Sequence, residues 1–401
     1  MLTSEAVLPG VRPNAAADIW RFGLIALIAF LTLVDLFATQ AILPSLVRKF
    51  DVAPSTMGVA VNASTFGMAI AGLAIALFGR DLDRRNGIWI SLAVLAAPTT
   101  MLAFAENIYL FALLRVWQGL CMASAFALTM AYLSEHFGPG RATLALSAYV
   151  TGNVASNVFG RMLSASVADQ LGLQTNFLAF AALNLCGAAL VFMTLMKAPG
   201  MPGTGQGKRI AAGNIAGLIS DPQLSRTFAI GFLVLFVFIG TYTYVNFRLT
   251  GPEIGLSPMA LGFVYLVFLP SLFTTPLAGW SVGRLGPARA TAIATAIAIA
   301  GLCLCLPARL PLVLGGLALV AVGTFLAQAI ATGHVGNSAG KNRASASGVY
   351  LSSYYAGGLA GSIVVGQVFD RFGWSASVSV LIATLALVIV FAGGLRRAPA
   401  Q

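Results

Sequence analysis

The sequence predicts an all-α membrane protein with twelve transmembrane helices, arranged as two pseudo-symmetric six-helix bundles. Composition is the first reason: 58% of the 401 residues are apolar, 9% are charged, and the mean hydropathy is +0.89. A soluble domain usually carries about 25% charged residues. The second reason is a set of long apolar runs, and the third is a repeat between the two halves of the chain. The continuous runs exclude a β-barrel, which needs short alternating segments.

Each apolar run is long enough to be one membrane-spanning helix, which needs roughly 20 mainly apolar residues. There are twelve such runs, with boundaries that sequence places only to within a few residues. They cover 22–46, 56–79, 88–105, 108–131, 142–166, 175–196, 226–249, 259–282, 288–306, 311–334, 344–368 and 375–396.

A polar stretch rich in proline and glycine, from Lys197 to Arg226, divides six runs from six and is typical of a linker. The polar first twenty residues lack an apolar signal region, so we expect no cleaved signal peptide. The predicted segments are an N-terminal cytoplasmic segment (1–21), a first six-helix bundle (22–196), a cytoplasmic linker (197–225), a second six-helix bundle (226–396) and a cytoplasmic tail (397–401).

The two halves repeat at a nearly constant spacing. After the second and eighth runs, Gly79, Asp83 and Arg84 align with Gly279, Gly283 and Arg284, an offset of 200 residues. At an offset of 201, the residues Tyr149, Gly160, Asp169 and Gly172 align with Tyr350, Gly361, Asp370 and Gly373. Such repeats predict two domains that face each other across a central cavity.

The net charge of +11 could indicate nucleic-acid binding, but its distribution indicates a membrane orientation instead. Lysine and arginine concentrate on the cytoplasmic side of membrane proteins. With both termini cytoplasmic, five basic residues lie outside: Arg48, Lys49, Arg248, Arg309 and Arg371. Sixteen lie inside: Arg12, Arg21, Arg80, Arg84, Arg85, Arg141, Lys197, Lys208, Arg209, Arg226, Arg284, Arg289, Lys341, Arg343, Arg396 and Arg397. The sequence therefore predicts a multi-pass protein of a bacterial inner membrane, with no nucleic-acid partner.

Catalytic and cofactor motifs are missing from the sequence. The segment around Lys208 resembles a phosphate-binding loop, but Pro202 replaces its first glycine and Arg209 its Mg²⁺-binding hydroxyl residue. All four cysteines lie inside apolar runs, where cysteine behaves as a small hydrophobe, and two histidines are too few for a metal site. We therefore expect no cofactor, no metal and no enzymatic activity.

Several local motifs resemble the major facilitator superfamily, and in particular its twelve-helix, proton-coupled drug or sugar efflux permeases. Gly79, Asp83 and Arg84 match the signature between the second and third helices. Arg115 with Gln118 and Gly119 matches the fourth-helix signature. Of the fifth-helix antiport signature, Gly152 and Gly160 are present, whereas Ser156, Asn157 and Arg161 replace its other glycines and proline. The resemblance implies antiport by alternating access.

Three charged residues lie deep inside apolar runs: Asp35, Arg115 and Arg161. Each costs about 2.5–3.5 kcal/mol on insertion scales, so such residues are rare and often functional. Burial favours neutral Asp35, and a nearby arginine favours the charged form. That competition makes Asp35 a candidate proton-coupling group, with Arg115 as its partner or as an anion-binding group. The alternatives are a permanent ion pair for Asp35 and helix packing with an interfacial head group for Arg115.

Arg161 is the third charge, and we expect it to contribute to substrate binding together with Asn157, one turn earlier. Its alternative is an interfacial anchor. The second half has no charged residue deep inside its runs, and its candidates there are uncharged polar side chains. Aromatic side chains with one polar tip suit an amphipathic ligand, although tyrosine is also common at membrane interfaces. The predicted substrate-binding set in this half is Tyr242, Tyr244, Gln328, Tyr350 and Tyr354.

The resemblance also implies a conformational latch formed by Gly79, Asp83 and Arg84. A carboxylate is stabilised near a helix N-terminus, and the start of the eleventh helix, near 344–347, is the expected partner of Asp83. The alternative is a solvated turn.

Together these features predict a secondary active transporter that exports a small organic solute or drug in exchange for protons. The first alternative is an anion or metabolite permease that uses Arg115 and Arg161. The second is a membrane receptor or enzyme without transport. The expected partners are the solute, protons and the lipid bilayer, and the expected state is a monomer.

Overall fold

The computed structural model describes residues 15–78, 83–136, 139–195, 212–339 and 343–396, and every regular element in these ranges is helical. Gly79 of the predicted latch lies outside the described residues, as do most of the predicted linker and the C-terminal tail.

The first half of the chain forms helices α1 to α6. The first predicted run ends earlier than expected, because a turn at Ile42 separates α1 from a short helix that continues to Phe50. The helices are α1 (Ala15–Ala41), α2 (Leu43–Phe50), α3 (Pro54–Phe78), α4 (Arg84–Ala103), α5 (Ile108–His136) and α6 (Pro139–Thr194).

The second half begins with a short helix, α7 (Ala212–Ser220), and continues with α8 (Pro222–Thr250). The next span is irregular: two 3₁₀ turns, Tyr265–Phe268 and Thr275–Leu277, separate its three α-helical pieces. These pieces are α9 (Pro258–Val264), α10 (Leu269–Thr274) and α11 (Ala278–Leu285). The last helices are α12 (Pro287–Leu304), α13 (Leu310–Ser338) and α14 (Arg343–Gly393).

Ten helices in the described residues are long and apolar enough to cross a membrane, and two of them are long enough to cross it twice. The apolar part of α6 has 44 residues and would be roughly 66 Å long at 1.5 Å per residue, against a hydrocarbon layer of about 30 Å. Gly172 breaks α6 with a φ of 86°, and Gly373 breaks α14 with a φ of 76°. A positive φ favours glycine. The chain therefore crosses the membrane twelve times, and the two breaks fall at aligned positions of the repeat.

The crossings pack as two six-helix bundles. In the first, α1 packs on α6, α3 on α5, and α4 on both α5 and α6; in the second, α14 packs on α8 and α12, and α13 on α8 and α12. The bundles meet through two related interfaces, α3 against α14 and α6 against α9. We call the end of the molecule near Ala15, Thr194 and Arg396 the linker end, and the end near Ile42, Gly172 and Gly373 the far end.

Two glycines bring α3 and α5 into close contact. A Cβ atom on Gly119 would lie 1.9 Å from the carbonyl oxygen of Ser64, and one on Gly67 would lie 2.0 Å from that of Val116. Small residues of this kind let membrane helices approach closely. The approach brings the backbone of α3 within reach of the buried arginine on α5.

Candidate functional site

Asp35 lies in the interior of the first bundle, where its side chain is 3% exposed. Asn184 Nδ2 donates to Asp35 Oδ2 at 2.5 Å, and the Thr99 hydroxyl lies 3.2 Å from the same oxygen. Gln118 Nε2 donates to Thr99 Oγ1 at 2.7 Å, and Arg115 Nη1 donates to Gln118 Oε1 at 2.6 Å. In this way Gln118 and Thr99 connect the Arg115 guanidinium to the Asp35 carboxylate.

The Arg115 guanidinium is fully buried and hydrogen-bonded through all three of its nitrogens. Nε donates to the carbonyl oxygen of Val61 at 2.8 Å, and Nη2 lies 3.1 Å from Ser64 Oγ. On α1, the carbonyl oxygens of Asp35 and Leu36 lie 3.3 and 3.5 Å from Nη1 and Nη2. The planar fork of arginine suits several fixed acceptors at once. Arg115 therefore ties α1, α3 and α5 together from inside the protein, and no part of it faces lipid.

Arg161 is also fully buried, but it lies between the two bundles and is surrounded by aromatic rings. Its guanidinium carbon lies 4.2 Å from the ring centroid of Tyr265, 5.0 Å from Phe268 and 5.8 Å from Tyr242 in the second bundle. The ring of Phe37, in the first bundle, lies 5.2 Å away. A cation within about 6 Å of an aromatic centroid is attracted to the face of the ring. Three of the four aromatic rings around Arg161 therefore belong to the opposite bundle.

A chain of amide side chains extends from Arg161 across the interface between the bundles. Arg161 Nη2 donates to Gln40 Oε1, and Gln40 Nε2 donates to Asn62 Oδ1 at 2.7 Å. Asn62 Nδ2 then reaches the second bundle, at 3.0 Å from Thr243 Oγ1 and 3.2 Å from Ser362 Oγ. These residues lie in the part of the membrane nearest the far end, where they join the bundles.

A second branch of this interface uses Asn246 on α8. Its Nδ2 donates to the carbonyl oxygen of Gln40 at 3.0 Å, and its Oδ1 accepts from the Tyr265 hydroxyl at 2.5 Å. Closer to the far end, the backbone amide of Ser55 lies 3.3 Å from both oxygens of Asp370. The bundles are therefore held together by polar contacts over much of the far half of the membrane.

Three side chains on one face of α6 have buried polar atoms without a hydrogen-bond partner among the described residues. They are Asn157, Arg161 and Ser164, spaced i, i+4 and i+7, and each is at most 2% exposed. The unpartnered atoms are Asn157 Oδ1, Arg161 Nε and Nη1, and Ser164 Oγ. Buried polar atoms are nearly always hydrogen-bonded, so a group of exceptions needs an explanation.

The predicted tyrosines and Gln328 do not form one pocket. Tyr242 packs beside Arg161 and donates to the carbonyl oxygen of Leu317 at 2.6 Å. Tyr244 donates to the carbonyl oxygen of Ser362 at 2.6 Å, nearer the far end.

The other three predicted residues form a separate cluster closer to the linker end. The rings of Tyr350 and Tyr354 stack with centroids 6.0 Å apart, and Gln328 on α13 contacts Tyr354. All the predicted tyrosines are buried, and they lie at two different depths in the membrane.

Asp83, at the predicted latch, caps its own helix. It is the N-cap residue of α4, and its carboxylate accepts from Asn86 N at 3.1 Å and from Asn86 Nδ2 at 2.9 Å. Arg84 is the first residue of α4, and the expected partner helix, α14, begins at Arg343. The loop that precedes α14 lies outside the described residues.

Sequence reasoning missed the uncharged members of both networks. Asn184 and Thr99 beside Asp35, and Gln40 and Asn62 beside Arg161, all lie inside apolar runs. The sequence did contain a signal, because polar side chains in membrane-spanning segments usually face the bundle interior. In the first half, the predicted buried site comprised only the three charged residues and Asn157.

A twelve-crossing helical bundle with buried polar networks inside and between its two halves is typical of an integral membrane transport protein. Comparison with known families gives the particular class: residues 25–268 match the model of the Major Facilitator Superfamily, and the chain belongs to that superfamily. It is a secondary transporter of the multi-pass type and not an enzyme.

Relatives and solved structures agree with this assignment. The chain is 26% identical to the MFS-type transporter YybF of Bacillus subtilis over 92% of its own length and 91% of that protein. It is also 26% identical to the inner membrane transport protein YnfM of Escherichia coli, over 90% and 87% of the two chains. A bacterial homologue of the human lysosomal transporter Spinster has the same fold, with a TM-score of 0.71 at 14% identity, covering 96% of this chain and 95% of that one.

Proposed function

We propose that this transporter exports a small organic solute across a bacterial inner membrane in exchange for protons, with both termini in the cytoplasm. The observation that carries the proposal is Asp35, the one buried acidic residue among the described residues. Its carboxylate belongs to a hydrogen-bond network that includes a buried arginine. Buried carboxylates inside membrane proteins commonly form proton pathways.

The neighbours of Asp35 can accommodate both the charged and the protonated carboxyl group. A charged carboxylate only accepts hydrogen bonds; here Asn184 Nδ2 donates to it, and the Thr99 hydroxyl lies 3.2 Å away. A protonated carboxyl group must also donate one bond. Asn184 Oδ1 is buried without a partner, so rotation of this amide presents an acceptor to the new proton. Protonation thereby changes the contact between α1 and the second part of α6.

The contacts at the far end link the proposed proton uptake to a conformational change. The polar contacts of Gln40, Asn62 and Asn246 close the bundles together at that end. In alternating access these contacts must break when the far end opens. Asp35 lies on α1 only five residues from Gln40, so a shift of α1 on protonation acts directly on the closed interface.

Substitution of Asp35 tests the coupling. A thermal-shift screen of small organic solutes on the purified protein identifies a substrate, and transport is then measured in liposomes with an imposed pH gradient. Asp35→Asn should abolish accumulation against a gradient and preserve counterflow exchange, because the amide cannot exchange a proton. The matched control is Asp51→Asn, which removes an exposed acid from a loop. An Asp35→Asn protein that still concentrates the solute would refute proton coupling at this residue.

A second candidate function, an anion or metabolite permease, is favoured by Arg161. Arg115 does not favour it, because all three of its nitrogens already donate to protein oxygens. Arg161 keeps two nitrogens without a partner. The two functions are compatible if the exported solute is itself an anion.

A further inference from the structure

The face of α6 that carries Asn157, Arg161 and Ser164 concentrates unsatisfied polar atoms. Eleven buried side-chain atoms in the described residues lack a hydrogen-bond partner, and four of them belong to these three residues. The three side chains lie one above another on the helix, because residues at i, i+4 and i+7 share a face. The other seven atoms belong to seven separate residues, so this stripe holds the largest group of unpartnered polar atoms among the described residues.

The positive charge on this stripe is also not neutralised by an acidic residue of the part of the chain that the structure describes. No acidic side chain of the described residues forms an ion pair with Arg161, whose partners are Gln40 Oε1 and four aromatic rings. Burying an unpaired charge costs several kcal/mol, and a well-placed anion with additional hydrogen bonds can offset that cost. Arginine stays protonated in proteins, so the positive charge persists through the transport cycle.

The stripe is positioned to meet a solute. Helix α6 belongs to the first bundle, whereas the rings of Tyr242, Tyr265 and Phe268 belong to the second. Separation of the bundles exposes the guanidinium on one wall and the aromatic rings on the other. A planar ligand can then bind between a cation and an apolar aromatic wall.

We propose that Arg161, with Asn157 and Ser164, forms a recognition site for a small organic acid that carries a further hydroxyl group. The carboxylate of the acid accepts a hydrogen bond from one of the unpartnered nitrogens of Arg161, Nε or Nη1. The hydroxyl group of the acid bonds to Asn157 Oδ1 or Ser164 Oγ. This inference rests on the proposed transport function and adds the substrate class to it.

Matched pairs of acids and neutral amides test the recognition site. At equal ionic strength, 4-hydroxybenzoate is compared with 4-hydroxybenzamide, and lactate is compared with lactamide. A ligand that binds only the folded state raises its thermal midpoint in proportion to RT ln(1 + [L]/Kd). We expect the acids to raise the midpoint of the purified protein and the amides to leave it unchanged.

Variants assign the response to Arg161. Arg161→Gln and Arg161→Met should each weaken acid binding about tenfold to a hundredfold, the loss expected for hydrogen bonds to a charged group. Ser164→Ala combined with Asn157→Ala should weaken the binding of 4-hydroxybenzoate and leave the binding of benzoate unaffected. The matched control is Arg309→Gln, which removes one positive charge from an exposed position at the far end and should bind as the wild type does. Elution in size-exclusion chromatography identifies any variant that fails to fold.

Three outcomes would overturn the inference. The first is a wild-type protein that responds to neither acid, and the second is an equal response to acids and amides. The third is acid binding of wild-type strength in folded Arg161→Met, which would mean that the acid binds elsewhere in the protein. None of these affects the coupling test: Asp35→Asn should still bind the acids, and an Asp35→Asn protein that concentrates solute would refute proton coupling while leaving the recognition site intact.

Discussion

The two buried arginines of the first bundle have the same burial and opposite surroundings. Arg115 is fully buried and donates through all three nitrogens to protein oxygens of its own bundle. Arg161 is equally buried, but it keeps two nitrogens without partners and packs against rings of the other bundle. An arginine whose bonds are complete stabilises a fixed arrangement. An arginine whose bonds are incomplete can be stabilised by new partners when its surroundings change. This difference distinguishes a structural role for Arg115 from a role for Arg161 in the transport cycle.

The largest effect should come from weakening the complete network. Arg115→Lys keeps the charge but replaces a planar fork with a point charge. We expect a loss of about 2–3 kcal/mol of stability, the size of one to two hydrogen bonds to a charged group, together with loss of uphill transport. Thermal unfolding in detergent and transport in liposomes measure the two effects.

The control for Arg115→Lys is Arg226→Lys, because Arg226 is only partly buried and bonds the carbonyl oxygen of Gly394 at 2.8 Å. Equal small losses in both variants would show that the fork of Arg115 is not required.

A smaller effect should follow from separating α3 from α5, two of the three helices that Arg115 ties together. Gly119→Ala places a methyl group 1.9 Å from the carbonyl oxygen of Ser64, and overpacking of this kind costs about 1–3 kcal/mol. Gly279→Ala is the matched change in the second half, where no atom lies within 4 Å of the added carbon. Thermal midpoints should fall for Gly119→Ala and stay level or rise for Gly279→Ala. Similar midpoints would contradict the close approach of α3 and α5.

The smallest effect concerns Asp83, which we propose as a latch against the start of α14. The interaction of a charge with a helix N-terminus is worth typically about 0.3–1 kcal/mol. Asp83→Asn should shift the protein toward forms open at the linker end and leave solute binding intact. Asp221→Asn is the matched control, because Asp221 caps α8 at the same end. Spin labels in the loops before α4 and before α14 measure the shift, and identical distances in wild type and Asp83→Asn would count against the latch.

Features that depend on rare residues or on the internal repeat could be predicted from the sequence. Asp35 and Arg115 could be found because charges inside apolar runs are uncommon, and Gly172 and Gly373 because they align in the repeat. The apolar run continues through the turn at Ile42 that ends α1, so the predicted run extends further, to residue 46. Tyr350, Tyr354 and Gln328 were expected to form one site with Tyr242, but they lie at a different depth in the membrane.

The partners of Arg161 could not be predicted from local sequence. Its nearest ring belongs to Tyr265, about a hundred residues further along the chain, and only the packing of α6 against α9 brings them together. Neutral amides such as Asn184 carry a weaker signal than charges, although burying them without a partner is also costly. Their roles depend on which helix faces which, and that is a property of the tertiary fold.

The most direct test of the contrast between the two arginines is the thermal unfolding of Arg115→Met and Arg161→Met in one detergent, without added ligand. A buried charge carries a desolvation cost that its removal relieves, whereas removing one member of a buried network of charged groups is destabilising by about 3–5 kcal/mol. Methionine also makes favourable contacts with aromatic rings such as those around Arg161. We therefore expect a lower midpoint for Arg115→Met and an equal or higher midpoint for Arg161→Met. Equal losses in both variants would contradict the account, because they would make Arg161 as completely bonded as Arg115.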